Sequence, residues 1–317
     1  MSSYLAVIGE CLVDVVHSET SAPKAHVGGS PFNVAVGLAR LEHQVVFAGR
    51  RGEDDYGRMI ARSLRAQGIN SLLEADDLPT SVARATLDPT GQASYEFSLD
   101  WALPSADEVE EKFATCSGDR IHLHTGSIAA MVQPGAETVK GVLHRARETA
   151  TISYDPNYRP TLVPNREEAR QQVEEFIALA DVIQASTDDL DLLYPERSHR
   201  DTMSAWLELG PSLVTVTRGA SGAIALARSG FVEQQAFSVE VADTVGAGDS
   251  FMAATLSSLQ QRGLLGAHHR QALQDISADT VSEVLRSAAQ AAAITSSRFG
   301  AQPPSAKELA AALTAAD

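Results

Sequence analysis

Along this chain, short apolar runs alternate with segments whose apolar residues recur every three or four positions. Tyr4 to Gly9 (YLAVIG) and Val45 to Gly49 read as strands, Ile121 to Ser127 as a strand into a turn and Leu213 to Ala225 as a strand, the loop TRGASG and another strand, and Ile152 to Pro160 and Asp181 to Tyr194 open with strands of the same kind. Between them, Gly28 to Leu41 is a Gly-rich turn entering an amphipathic helix, and Met59, Ile60 and Leu64 mark a second helix. Phe251, Met252, Leu256 and Leu259 sit at helical spacing, Val284 to Ala301 carries an Ala-rich helix, and the final LAALTAAD reads as a weak one. Strand and helix in repeated alternation predict a three-layer α/β domain with a mostly parallel sheet, its loops gathering at the C-terminal ends of the strands. One stretch breaks the pattern. Thr80 to Trp101 alternates residue by residue around a DPTG turn, which predicts an antiparallel hairpin exposed on one face.

A length of 317 residues suffices for a substantial core plus a smaller attachment. The formal net charge of −16 argues against a general nucleic-acid or anionic-membrane binder, although local amides and a magnesium ion can still hold a nucleotide on an acidic protein. Cys11 and Cys116 are too few for a disulfide framework and form no CxxC pair. MSSYLAVIGE has neither a basic start nor a long apolar stretch, and no run approaches a membrane span, so the cytoplasm is the expected compartment.

The first strand is not followed by GxGxxG, and no GxxxxGK[ST] occurs, which removes the two commonest nucleotide-binding readings. Val241 to Leu259 offers another kind of site. Gly246, Ala247 and Gly248 open a helix directly ahead of Asp249. Amides of a helix's first turn attract anions, and a carboxylate beside them can accept the proton of an attacking hydroxyl, the pairing that phosphoryl transfer uses. An acid at a helix start also has a plain explanation, since capping alone is worth about 0.5–2 kcal/mol. The HLH of IHLHTGS puts His122 and His124 on one face of a strand, a metal pair only if further ligands lie nearby.

DTVGAGDSF resembles the C-terminal signature of the ribokinase-like (PfkB) carbohydrate kinases, and GGSPFNVAVGLARL resembles their N-terminal signature. The likeness runs from GE near residue 9 to PP at 303, and SPFN with DPNYRP makes the chain most similar to bacterial fructokinases. The resemblance implies a single kinase domain, residues 1–317, of ribokinase-like fold with a small β lid from about 12–28 and 80–103. It implies Asp249 as general base and Gly246, Ala247 and Gly248 as anion hole. Asp14 of the GExxxD pattern, Gly28, Gly29 and Asn33 would bind the sugar, with Asn157 and Arg159 of DPNYRP. Phe97 or Trp101 would pack on the substrate, in the lid core or at a dimer contact. Thr217, Arg218, Gly219 and Gly222 of TRGASG would approach ATP, with Ala289 standing where relatives often carry an Asn beside adenine.

Asp189, with Ser186 where many relatives have Asn, would organise Mg²⁺ indirectly. Carbonyls of Asp243 and Val245, with SRFGA, would hold a monovalent cation such as K⁺. The acids of GEDDYG read as solvated turn formers, and Glu42 replaces the Gly that usually ends the helix after GGSPFN. The implied activity is ATP-dependent phosphorylation of a primary hydroxyl on fructose. A 2-keto-3-deoxygluconate kinase, whose acid substrate would suit Arg159, a ribokinase and a nucleoside kinase are the alternatives. Outside the enzymes stands a sugar- or nucleotide-binding regulator on the same scaffold. Neither nucleic acid nor membrane is an expected partner, and relatives' lids suggest a homodimer.

Overall fold

A computed structural model of the chain describes residues 2–18, 21–87 and 93–315. Nine strands form one sheet. Its parallel part comprises β1 (Ser3–Ile8), β4 (Val45–Ala48), β5 (Asn70–Ser71), β8 (Asp119–Gly126), β9 (Thr151–Asp155), β10 (Val182–Ser186) and β11 (Leu213–Thr217), and β12 (Ala223–Ala227) and β13 (Gly230–Gln234) add an antiparallel edge. The order across it is β13-β12-β11-β10-β9-β8-β1-β4-β5. The remaining strands, β2 (Leu12–Ser18), β3 (Ser21–Gly28), β6 (Val82–Leu87) and β7 (Ala93–Ser98), make a separate sheet ordered β3-β2-β6-β7. The hairpin expected from alternation is therefore β6 and β7, with β6 running parallel to β2; the DPTG turn between them lies outside the described residues.

The apolar runs are continuous because both faces of the large sheet are covered. In β1, Leu5 and Val7 join one hydrophobic cluster while Tyr4, Ala6 and Ile8 join the other. The first cluster is completed by α1 (Ser30–Arg40), α2 (Asp55–Ala66), α9 (Ala247–Gln261), α10 (Arg270–Gln274), α11 (Ala278–Ser296) and α12 (Ala306–Ala315). The second is completed by α3 (Ala106–Ala114), α4 (Ile128–Met131), α5 (Gly135–Ala146), α6 (Arg166–Ile177), α7 (Thr187–Leu193) and α8 (His199–Glu208). Three layers result, as the alternation predicts. The Ala-rich helix α11 starts earlier than the sequence suggests, where the Ser277 side chain accepts from Thr280 N–H. Among the described residues no helix is long and apolar enough to cross a membrane.

Helix α1 ends in a Schellman turn: the Glu42 amide donates to Ala39 O at 3.0 Å and the His43 amide to Leu38 O at 3.1 Å. Glu42 takes φ 68° there, so the turn keeps a glycine's shape without a glycine. A side chain in this region costs about 1–2 kcal/mol, partly offset by glycine's greater freedom when unfolded. Glu42→Gly is expected to stabilise the fold by about 0.5–1 kcal/mol, read as a higher urea midpoint at unchanged slope; an unchanged or lower midpoint would contradict the strain.

Candidate active site

Two helix starts meet over the C-terminal ends of the parallel strands. Helix α9 begins at Gly246, whose φ of 76° is left-handed and where a Cβ would lie 2.9 Å from Ala301 Cα. Helix α1 begins after Gly29, at φ 107°, where a Cβ would come within 2.6 Å of the Glu10 carbonyl. Between them sits Asp249. The Ser30 hydroxyl donates to its Oδ1 at 2.6 Å and the Asn33 amide to its Oδ2 at 2.8 Å. Burial raises the Asp249 pKa above the ordinary aspartate range, opposed by these two donors and by the Arg159 charge.

Gly29 caps α1 without a side chain, and a distant residue takes over that task. Glu10, 2% exposed just past β1, accepts the Ser30 amide at 3.3 Å through Oε1 and the Ala129 amide at 2.9 Å through Oε2. One carboxylate thus holds the first turns of both α1 and α4. Burial pushes its pKa up to about 8 against its hydrogen bonds.

The strand ends supply the floor. Asp155, closing β9, accepts the Asn157 amide at 2.9 Å and the Gln184 side chain at 2.9 Å. Gln184 of β10 also donates to Gly248 O at 2.9 Å, which ties the sheet to the first turn of α9. Asp155 is driven well above its ordinary pKa by burial, then by the charges of Asp189 and Asp249. Asp189 itself is engaged on both oxygens: Tyr158 N–H donates to Oδ1 at 2.7 Å, and Ser186 donates to Oδ2 from N–H at 2.8 Å and from Oγ at 2.6 Å. Asn157, at φ 38°, reaches Ser127 Oγ at 3.2 Å, and the exposed Arg159 spends one guanidinium nitrogen on the carbonyls of Asn157 and Tyr158.

The small sheet flanks this floor. Asp14 lies opposite His26 on β3, and burial lifts its pKa to about 6, with His26 pulling the other way. A Cβ on Gly28 would meet Asp14 Oδ2 at 2.1 Å, so that glycine is the space the carboxylate occupies. Phe97 is partly buried against Leu12, Ala83 and Ile128. Trp101 is core instead: it is buried with the central layers, its indole N–H donating to Ala129 O at 3.1 Å. Asp54 differs from a solvated turn former as well. Its oxygens accept Gly57 N–H, Thr80 N–H and Thr80 Oγ at 2.7–2.8 Å, joining the start of α2 to the root of β6. Buried Arg50 grips Pro79 O and Asp100 O at 2.8 and 3.1 Å, the two roots of the hairpin.

β11 ends at Thr217, and the loop after it carries Arg218 to Gly222. Gly219 and Gly222 are left-handed at φ 53° and 87°; a Cβ on Gly219 would meet open space, whereas one on Gly222 would meet Gln234 O at 2.0 Å. Arg218 is turned onto Glu233 at 2.5 Å. Ala289 is buried on α11. Asp243 knits the loop before α9 to the SRFGA loop, accepting Val245 N–H at 3.0 Å and Gly300 N–H at 2.8 Å. Ala247 N–H is directed at Thr244 O at 3.2 Å. His122 and His124 are buried and bonded to Thr151 and Ser153 at 2.8–2.9 Å, and burial lowers both to about 3, so they are neutral core groups. No cluster of three or more His, Cys, Asp or Glu able to hold a metal occurs among the described residues.

Four residues of this arrangement carry no role in the sequence reading: Glu10, Ser30, Asp155 and Gln184. The first three stand inside the motifs GE, SPFN and DPN, and motif membership is the only signal that could have raised them. Gln184 has none, since its partners lie on other elements.

Architecture and site together define a ribokinase-like α/β kinase. The model of the pfkB family carbohydrate kinases matches residues 2–308. A fructokinase of Rhizobium leguminosarum bv. trifolii is 30% identical over 262 residues, 81% of this chain and 80% of that one. Among solved structures, Xylella fastidiosa fructokinase with bound ATP superposes at TM-score 0.86 and 26% identity over 99% of this chain and 98% of that one. Vibrio cholerae O395 fructokinase, in its form with fructose, ADP and calcium ion, gives 0.80 and 26% over 99% of both. The chain belongs to the pfkB family of carbohydrate kinases.

Removing the shared cap tests the architecture of the site. Glu10→Ala strands two buried amides, each worth about 1–3 kcal/mol, and is expected to lower stability by about 2–4 kcal/mol in denaturant titration; a loss under 1 kcal/mol would show that Glu10 anchors neither helix.

Proposed function

We propose that the protein transfers the γ-phosphoryl group of ATP to a primary hydroxyl of fructose, with Asp249 as the general base. The observation that carries this reading is Asp249 in the first turn of α9, partly buried, with both oxygens held from α1. The fructokinase relatives favour fructose among the sugars. In the reading, residues 1–317 act as one kinase domain whose small sheet is the lid, and copies pair through that lid.

The sugar lies between Asp14, Gly28, Gly29 and Asn33, with Phe97 from the lid and Asn157 and Arg159 from the loop after β9. Its hydroxyl gives its proton to Asp249 as the oxygen attacks the γ-phosphorus and the bond to ADP breaks. Charge gathering on the phosphoryl oxygens meets the amides opening α9, chiefly those of Gly246 and Gly248, because Ala247 N–H already has Thr244 O. ATP lies along Thr217, Arg218, Gly219 and Gly222, with Ala289 beside the base.

The acid pair Asp155 and Asp189 suits a Mg²⁺ carried by the nucleotide and held through its waters, because burial and mutual repulsion leave Asp155 short of positive charge and no protein cage exists among the described residues. Mg²⁺ when bound neutralises phosphate charge. Carbonyls of Asp243 and Val245 are the proposed seat of K⁺.

ADP release from MgATP with fructose, 2-keto-3-deoxygluconate, ribose, glucose and adenosine tests the reading. Fructose is expected to drive turnover; a preference for the acid sugar would move specificity to Arg159, and silence across the panel would leave a binding protein. Asp249→Asn is expected to lose about a hundredfold or more in kcat while remaining folded at the assay temperature, and wild-type turnover would refute the base. Ionised Asp14 accepts sugar hydroxyls on both oxygens, whereas the protonated form donates from one of them, and its raised pKa means the carboxylate is lost as pH falls through about 6. The KM for sugar is therefore expected to rise below about pH 6 while the KM for ATP holds; a flat sugar KM down to pH 5 would remove Asp14 from the sugar site.

A further inference from the structure

We propose that Ser30 is the positioning residue of the base: its hydroxyl fixes the plane of the Asp249 carboxylate and keeps Oδ1 occupied, so that Oδ2 faces the substrate hydroxyl. This rests on the reading of Asp249 as base.

Three observations carry it. The Ser30 hydroxyl donates to Oδ1 at 2.6 Å, in the range of a charge-assisted bond. Ser30 is buried and its own backbone is fixed, because its amide is held at 3.3 Å by Glu10, whose other oxygen is tied to α4. Asn33, one turn further along α1, takes Oδ2 at 2.8 Å and leaves that oxygen a second lone pair for the incoming hydroxyl. A carboxylate gripped at only one oxygen can rotate about its Cβ–Cγ bond. Held at both, it presents one lone pair in one direction.

The other groups acting on Asp249 are charged, and neither grips Oδ1. Arg159, from the loop after β9, lowers the pKa of Asp249 through space. Asp155, closing β9, stands near enough for the two charges to interact, and Asp189 acts on Asp155 in turn. Among the described residues Ser30 is the hydrogen-bond donor to Oδ1. Removing it loosens the carboxylate and favours its protonation, whereas a sugar-binding residue would change substrate affinity instead.

The test compares Ser30→Ala, Ser30→Thr, Asp249→Asn and the double variant Ser30→Ala/Asp249→Asn in steady-state kinetics across pH. Ser30→Ala is expected to lower kcat about tenfold or more with the KM for ATP unchanged, and to move the acid limb of kcat/KM up by about one pH unit. Ser30→Thr, which keeps the hydroxyl, is expected to recover most of the rate and the limb. The double variant should be no slower than Asp249→Asn alone. If Ser30→Ala melts below the assay temperature, Ser30→Cys, whose thiol is a weak donor, takes its place with the same expectations.

An unmoved limb with full kcat, or an unmoved limb with only a higher sugar KM, overturns the positioning role, as does failure of threonine to recover the rate. An active Asp249→Asn overturns the base itself, which separates the two failures.

Discussion

The site depends on one carboxylate shared between two helices. Hydrogen bonds of 2.6 and 2.8 Å from Ser30 and Asn33 to Asp249 span separations of 219 and 216 residues. They set the first turn of α1 against the first turn of α9, so the two Gly-rich turns open on one place. Packing makes that contact stable rather than fortuitous: Phe251, Met252, Ala253, Ala254, Leu256 and Leu259 of α9 are buried with Phe32, Val34, Ala35 and Leu38 of α1 in one cluster. The glycines are required at the points of closest approach. At Gly28 the missing Cβ is filled by Asp14 Oδ2, and at Gly246 by Ala301.

Electrostatics explain why so many acids tolerate one another here. Asp155, Asp189 and Asp249 interact across the strand ends of a chain already carrying −16. Donors compensate part of the cost: Gln184 and the Asn157 amide on Asp155, the Tyr158 amide and Ser186 on Asp189, Ser30 and Asn33 on Asp249. The remainder, burial together with the charges of Asp189 and Asp249, leaves Asp155 above its ordinary range.

Much of this was legible in the sequence because it is local. Apolar runs gave strands, three- and four-residue spacing gave helices, and alternation between 80 and 101 gave the hairpin, since each periodicity follows from which faces are buried. The glycines and Asp249 were legible because a helix start advertises itself in sequence. What escaped depends on register between distant elements. Gln184 reads as an ordinary polar residue in a strand until β10 places it beneath Gly248. Glu10 accepts helix-start amides from residues 20 and 119 positions later, which no local rule anticipates. Trp101 reads as lid because it follows an alternating segment, yet the chain has by then returned to the central layers. Asp54 sits in a turn-like string, yet its partners tie the start of α2 to the root of β6.

The most direct test of phosphoryl transfer to a primary hydroxyl is the identity of the product. Fructose and MgATP incubated with the protein and followed by phosphorus NMR with proton coupling should give one sugar phosphate per ADP, its phosphorus split by the two protons of a CH₂–O group. ADP and inorganic phosphate without a sugar phosphate, or a phosphorus coupled to a single ring proton, would contradict the geometry assigned to Asp249.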